Sequence, residues 1–436
     1  MKQSRWMKKL ISAALAVTLV FSMIVGGTGS AAAASQKGII DVYKECGDYL
    51  YKTVSEPTFG SIGGEWAIYG LAKSGYNMSD AYIKKYQKTV EKAVQEGFNG
   101  EAGVLDDRKY TEYSRVIIAY AELGLDPTNI CGYNMVEKLA DFDKVVWQGI
   151  NGPIFALRAL DAGNYEIPKT EGIENVTTRQ KLVEYILDLQ LDDGGWTLMG
   201  DKADTDITAM AVESLAPYYA LSTTLCDRKT RTAVRGAVDK AVACLSRMQG
   251  KNGTFSSWGA VNSESCAQVI CALSSKGINP NTDKKFIKNG KSVVDALLSF
   301  YDSKVGGFRH VNKAQAGYKA QVNQMATEQA YYALAAYKTS VPNRVILSSI
   351  TKKNSTTIEV KWKRASVGSG YQIMCAANKS FTFDVRNAEV RGRKSVSWTT
   401  GALKKGNTYY VKIRAYKVTD GNYMYGQWST VKKIKI

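Results

Sequence analysis

The chain has 436 residues and a mass of 47.8 kDa; 45% of it is hydrophobic, 22% is charged, and it holds only seven prolines. That length suits two or three domains, each with its own core, and excludes a small disulfide-stapled scaffold; the composition excludes a disordered or collagen-like chain. The net charge of +18 is unevenly placed, because residues 1–34 hold four basic and no acidic side chains, residues 341–436 hold nineteen and four, and the long middle is balanced at 35 and 36.

The first segment has the parts of a secretory leader. Lys2, Arg5, Lys8 and Lys9 precede an uncharged apolar run from Leu10 to Val25, and small residues follow up to Ala34. Cleavage after Ala34 satisfies the small-x-small rule through Ala32 and Ala34. The apolar run is shorter than the roughly 20 residues that span a bilayer, so no membrane span is expected after cleavage. The seven cysteines, at 46, 131, 226, 244, 266, 271 and 375, are odd in number and scattered. Most of them are expected to be reduced core residues.

From about residue 38 to 340 the sequence repeats. Six times an amphipathic helical stretch leads through a Gly-containing turn into a helix that is apolar or small on nearly every face. The first helices are expected to start near Leu50, Val90, Leu139, Leu182, Val242 and Val293. The second helices are expected over 66–74, 113–123, 148–162, 208–219, 266–275 and 325–337. A helix that is apolar all round must be enclosed. The second helices therefore suit an inner ring and the first helices an outer one: an all-α α6/α6 toroid whose cavity opens where the inner helices begin.

The turns carry a motif. Tyr185, Ile186, Gln190, Gly195 and Trp196 lie at the spacing of the Gln-Trp repeat of squalene cyclases, and Lys240, Ala241, Leu245, Gln249, Gly253 and Phe255 form a second copy with Phe for Trp. Gly64 with Trp66, and Gly306 with Phe308, keep only the end of it. In this motif Gln is expected to cap the outer helix and the aromatic to stack over the next hairpin. Residues 38–340 thus resemble the terpenoid cyclase and protein prenyltransferase toroid superfamily.

The resemblance implies chemistry that must be found residue by residue. For the Asp-x-Asp-Asp acid of the cyclases the nearest match is Asp204-Thr205-Asp206-Ile207, so Asp204 and Asp206 are the candidate catalytic residues, with helix capping as the alternative reading. For the prenyltransferase zinc set, Glu264, Cys266 and Glu328 occupy the corresponding places, a poor set beside Asp, Cys and His. The only histidine, His310, is expected in a surface turn. Cys46-Gly47-Asp48-Tyr49 lacks the Gln that the thioester branch of these toroids needs. No cofactor and no metal is expected.

Polar residues recur at the starts of the second helices: Glu65, Glu112, Gln148, Asp206, Glu264 and Glu328. First-turn acids stabilise helices through the dipole. In a toroid they would also form the rim of a ligand pocket walled by Trp66, Tyr113, Trp147, Tyr331 and Tyr332, suited to an apolar or aromatic ligand with hydroxyl or cationic groups.

Beyond Tyr337 the pattern becomes alternating, as in Ile358, Val360 and Trp362, or Tyr409, Val411, Ile413 and Ala415. Over 342–436 the early Trp362, Tyr371-Gln372-Ile373, and Leu403 to Tyr409 resemble a fibronectin type III domain, an immunoglobulin-like sandwich with Tyr409 as its corner tyrosine. Its Lys361, Lys363, Lys412 and Arg414 face outward and would dock on an anionic cell-wall polymer. The whole is expected to be a secreted or surface-attached protein of a Gram-positive-like bacterium, with no nucleic-acid partner. Two functions stay open. One is a toroid that binds a small molecule, glycan or protein without catalysis, as transcobalamin-type toroids do. The other is an enzyme on the same toroid, acting on terpenoids or glycans.

Overall fold

The computed structural model describes residues 38–436 apart from 220–222, 316, 341, 343, 344, 366, 420, 421 and 427. The leader expected at 1–34 lies outside these residues. Up to Ser340 the regular structure is mainly helical: α1 (Ile39–Thr53), α2 (Trp66–Ser74), α3 (Asp80–Glu96), α4 (Thr111–Leu123), α5 (Phe142–Val145), α6 (Asn151–Ala162), α7 (Arg179–Asp188), α8 (Thr205–Tyr219), α9 (Arg228–Met248), α10 (Ser263–Ser275), α11 (Val293–Leu298) and α12 (Gln324–Ser340).

Odd- and even-numbered helices differ as their sequences require. In α3 the buried side chains are Tyr82, Tyr86, Val90 and Val94, a stripe four residues apart on an otherwise polar helix. In α10 every residue from Ser263 to Ser274 is buried. Such a helix needs neighbours on all sides, and the even-numbered helices supply them: α2 adjoins α4, α4 adjoins α6, and so on through α8, α10 and α12, which returns to α2. Gly75 and Gly124 end α2 and α4 at φ of 69° and 72°, the left-handed conformation that lets the chain leave a helix sharply.

The even-numbered helices start within three residues of their expected positions. Among the odd-numbered ones α11 starts at Val293 as expected and α7 three residues before Leu182, whereas α1 at Ile39, α3 at Asp80 and α9 at Arg228 start ten residues or more earlier. The first turns of α3 and α9 are polar and are held by the N-caps Ser79 and Asp227, not by apolar periodicity. The third odd helix shrinks to a short turn over Glu137–Ala140 followed by α5.

The repeat motif is a set of hydrogen bonds. Gln190 Nε2 donates to Gly194 O and to Ala237 O of α9, both at 2.8 Å, and the Trp196 indole donates to Ile186 O of α7 at 2.7 Å. The roles are the reverse of those expected, because the amide reaches the next repeat while the aromatic returns to its own helix. Gln249 repeats the pattern with Gly253 O at 3.1 Å and Phe286 O at 3.0 Å.

The remaining residues form β1 (Leu347–Lys352), β2 (Ile358–Trp362), β3 (Gly370–Ala376), β4 (Arg386–Arg391), β5 (Ser397–Thr399), β6 (Thr408–Thr419), β7 (Asn422–Tyr425) and β8 (Lys432–Lys435). A three-stranded sheet has the order β5-β2-β1; a five-stranded one has the order β4-β3-β6-β7, with β8 also on β6. All pairs are antiparallel. Ile358, Val360 and Trp362 of one sheet share a core with Tyr371, Ile373, Val411 and Ile413 of the other. Tyr409 Oη accepts from Lys404 N at 3.1 Å and donates to Asp384 at 2.6 Å, which fixes the bend before β6. Met424 of β7 joins the helical core, and Asn279 Nδ2 donates to Tyr425 O at 2.8 Å.

Candidate functional site

The starts of the even-numbered helices hold two groups of carboxylates. In the first, residues 60–64 wrap over Glu65, and a Cβ on Gly64 would stand 2.1 Å from Thr58 O, so only glycine permits the turn. Glu65 accepts from Gly60 N at 3.1 and 3.2 Å and from Tyr86 Oη at 3.2 Å, with Arg115 Nε 3.6 Å away. Arg115 also pairs with Glu112. Glu328, wholly buried on α12, accepts from Gly63 N at 2.8 Å and from Gln324 Nε2 at 2.7 Å. Burial pushes both Glu65 and Glu328 up to about 7, although their hydrogen bonds, and Arg115 in the case of Glu65, favour the charged form.

The second group joins α8 to α10. Asp204 accepts from Asp206 N at 2.9 Å and Ile207 N at 3.1 Å and from the Ser257 hydroxyl, so it caps α8. Asp206 is pushed up to about 7 by burial, with the Asp204 and Glu264 charges adding to the rise. The Ser265 hydroxyl lies close enough to favour its charged form, yet neither Asp206 Oδ1 nor Ser265 Oγ completes a hydrogen bond. Glu264 accepts from Ser263 Oγ at 3.0 Å and meets His310 Nδ1 at 2.8 Å. Gln268, one turn further along α10, donates to Tyr332 Oη and to Gln329. Three more buried atoms here lack a partner: Glu264 Oε1, Gln268 Oε1 and His310 Nε2.

Of the six rim positions, Glu112, Gln148 and Asp206 are partly exposed and the other three are buried. Glu65, Glu264 and Glu328 are 5% exposed or less, and Gln148 caps α4 by accepting from Thr111 N at 3.1 Å. The aromatic residues divide. Trp66 lies 5.8 Å from both Tyr332 and Phe155, and so forms a cluster. The other three stand elsewhere: Tyr113 Oη pins the preceding loop through Leu105 N and Asp106 O, Tyr331 stacks on Tyr43 at 5.2 Å, and Trp147 is 51% exposed beside Arg108.

Burial pushes the Cys266 thiol up to about 12. Among the described residues no three His, Cys, Asp or Glu side chains gather as a metal site, and Glu264 and Glu328 belong to different groups. His310 is the residue the sequence reading placed differently. It is no surface-turn residue: its side chain is 17% exposed, paired with Glu264 and packed on Tyr318 at 4.6 Å.

No family model matches this sequence, and no curated protein matches it. Solved structures similar to stretches of it include an ent-copalyl diphosphate synthase from Streptomyces platensis, 20% identical over 62% of this chain and 48% of that one, with a TM-score of 0.37. They also include the FN1–FN3 domains of chicken CNTN1, 26% identical over 22% of this chain and 30% of that one, and the FN5 domain of Drosophila Lar, 23% identical over 22% and 96%, each with a TM-score of 0.18. This chain therefore spans about half the length of the synthase and under a third of the CNTN1 fragment. The similar structures include a terpene cyclase and fibronectin type III domains.

Proposed function

We propose that this is an exported, surface-associated protein whose helical region is an α6/α6 toroid that binds a small ligand at the starts of α8 and α10 without transforming it. One observation carries the reading: Asp206 Oδ1, Glu264 Oε1, Ser265 Oγ, Gln268 Oε1 and His310 Nε2 are buried, close in the fold and unpartnered. Most buried polar groups in proteins are hydrogen-bonded, and here five unpartnered atoms gather at two adjacent helix starts, which suits a polar guest. Three of the five atoms only accept, which suits a ligand rich in hydroxyl or ammonium groups. The test is native mass spectrometry of the chain purified from its host. A small molecule should accompany the parent chain and be absent from Asp206→Asn/Glu264→Gln; a chain that carries none, or a double variant that retains it, rejects the site.

A specific observation favours a second reading. Asp206, pushed up to about 7, is about half protonated at neutrality, and its protonated form suits a general acid. Against this, Asp204 is engaged as a helix cap, and Ile207 stands where the cyclase acid set has its last Asp. The same purification separates the two readings: a ligand returned chemically unchanged after incubation supports binding, and conversion supports catalysis.

The strand-rich region, read as an immunoglobulin-like fibronectin type III module, would hold the protein to an anionic wall polymer. Supporting this, Lys412 and Arg414 flank Trp428 at 4.7 and 4.4 Å on one face of β6, and each lies against a second ring. Retention on purified wall should fall several-fold between 50 and 500 mM salt as screening increases. Retention that ignores salt would show that these cations are not the contact.

A further inference from the structure

Exposed apolar side chains are unevenly placed on the helical region. Among the described residues ten large ones lie before Ser340, and only Val176 is in a connection that leads out of an even-numbered helix. The other nine, among them Ile62, Trp147, Met199, Trp258 and Tyr318, lie in the connections that lead into one, although the two sets of connections have comparable total lengths. Hydrogen bonds join these helix starts to one another, from Gly63 N to Glu328, Thr111 N to Gln148, Thr205 Oγ1 to Ser256 O and Ser263 N to His310 O, so the nine share one end of the helical region. Single exposed apolar residues spread over a surface need no explanation; their confinement to one end does.

Trp258 is the most exposed of them, at 70%. It takes the first place of a two-residue turn between the paired Ser257 and Ala260, with φ of 49°, followed by Gly259 at 79°. Turns with both places left-handed favour Asn-Gly, and a bulky side chain is strained there. The same chain shows the ordinary solution, because Asn289-Gly290, at 49° and 75°, turns between the paired Lys288 and Lys291. Trp258 thus neither fills a core nor suits its backbone, and strain kept at an exposed position points to use. The hairpin that carries it is held firmly: Ser256 O accepts from Thr205 Oγ1 of α8 at 2.8 Å, and Asn262 caps α10 by accepting from Ser265 N at 2.7 Å. Tyr318, 41% exposed, lies 4.6 Å from the His310 ring, and His310 O accepts from Ser263 N of α10 at 3.0 Å. Two aromatic rings therefore stand by the start of α10.

Charge and surroundings select the occupant. The connections into the even-numbered helices hold acidic and basic residues in near-equal number, which offers nothing to a polyanion. Each ring stands singly among small or polar neighbours in the chain, Ser257 and Gly259 beside Trp258, Gly317 and Lys319 beside Tyr318, unlike the unbroken apolar patch that a hydrocarbon needs. A sugar ring has an apolar C–H face to lie on an indole or phenol and a hydroxyl edge for the polar neighbours. We infer that this end of the helical region is a binding surface for a neutral, extended β-linked glycan, with Trp258 and Tyr318 as stacking platforms. Trp258 and Tyr318 are exposed whereas Glu264 is buried, so the surface stands or falls apart from the small-ligand site proposed above.

The probe is cellohexaose, titrated calorimetrically into the purified chain. It should bind saturably and at least tenfold more tightly than cellobiose, which is too short to reach both rings. Trp258→Asn gives the turn its usual Asn-Gly pair. That variant should bind cellohexaose at least tenfold more weakly while its urea midpoint equals or exceeds the parent's, a pairing that the loss of a structural residue does not produce. No saturable binding of cellohexaose, equal affinity for cellobiose, or unchanged affinity in Trp258→Asn would each overturn the proposal. A lower urea midpoint in Trp258→Asn would do so by making the indole structural. Sedimentation gives the other occupants: association with phosphatidylcholine vesicles, or between copies of the chain, that is lost in Trp258→Asn would assign this end to lipid or to a second copy, and not to a glycan.

Discussion

Folding stability should fall as pH rises from about 4.5 to about 7 and then level off. Glu65 and Glu328 ordinarily ionise near 4.5 and Asp206 near 3.8, and in the fold all three are pushed up to about 7, chiefly by burial. Between those values the folded chain binds more protons than the unfolded one, so each step up in pH favours unfolding. At about 1.4 kcal/mol per pH unit, a rise from 4.5 to about 7 amounts to roughly 3 kcal/mol for Glu328. The carboxyls of Asp126, Asp227 and Asp384, held below their ordinary value by hydrogen bonds, act oppositely only below pH 4. The window above 4.5 therefore reports the buried acids.

Glu328→Gln isolates one of them. The amide keeps an oxygen for Gly63 N and Gln324, and it places an NH2 where Glu328 Oε2 now has no partner. Urea midpoints at pH 4.5, 6 and 8 should show the variant equal to the parent at 4.5 and about 1–3 kcal/mol more stable at 8, with a shallower slope between. A slope identical to the parent's would mean that Glu328 ionises in the fold as it does in water. Glu65→Gln is the less clean comparison, since Arg115 would lose half of its carboxylate shell.

What the sequence disclosed follows from what periodicity can carry. The even-numbered helices are apolar on nearly all faces, so their ends stand out within three residues; α3 and α9 begin with polar turns, and only the caps Ser79 and Asp227 mark those starts. The acids at the helix starts were legible as a pattern, but their burial was not. Nothing in the residues around Glu65 states that Gly60 to Gly64 folds over it. His310 was missed, although the repeat contains a signal for it. Ser257 lies two residues after the motif aromatic Phe255 and reaches Asp204 at the start of α8; His310 lies two residues after Phe308 and reaches Glu264 at the start of α10. Aligning the repeats by their aromatics, and not by their helices, would have paired each turn residue with the acid one hairpin earlier.

The same alignment makes Trp196 the most sensitive single position. It is fully buried, its indole N–H holds Ile186 O at 2.7 Å, and its backbone N–H meets Thr208 Oγ1 at 2.9 Å, so one residue ties α7 to α8. Trp196→Ala should cost about 3–5 kcal/mol, the range for truncating a large aromatic in a core. Trp196→Phe keeps most of the apolar contact and leaves Ile186 O without its donor, at about 1–3 kcal/mol; the copy with Phe255 already lives without that bond. The larger question is where the loss appears. In an open stack of repeats each hairpin contacts only its neighbours, and damage stays local. Here the even-numbered helices contact one another in a cycle that returns from α12 to α2, so opening the joint at α7 and α8 releases both ends of the chain of contacts. Hydrogen exchange in Trp196→Ala should therefore show α2 and α12 losing protection together with α7 and α8, in one cooperative step. Loss confined to α7, α8 and α9 would show that the repeats open singly, and that the cycle of contacts does not unite the helices into a single folding unit.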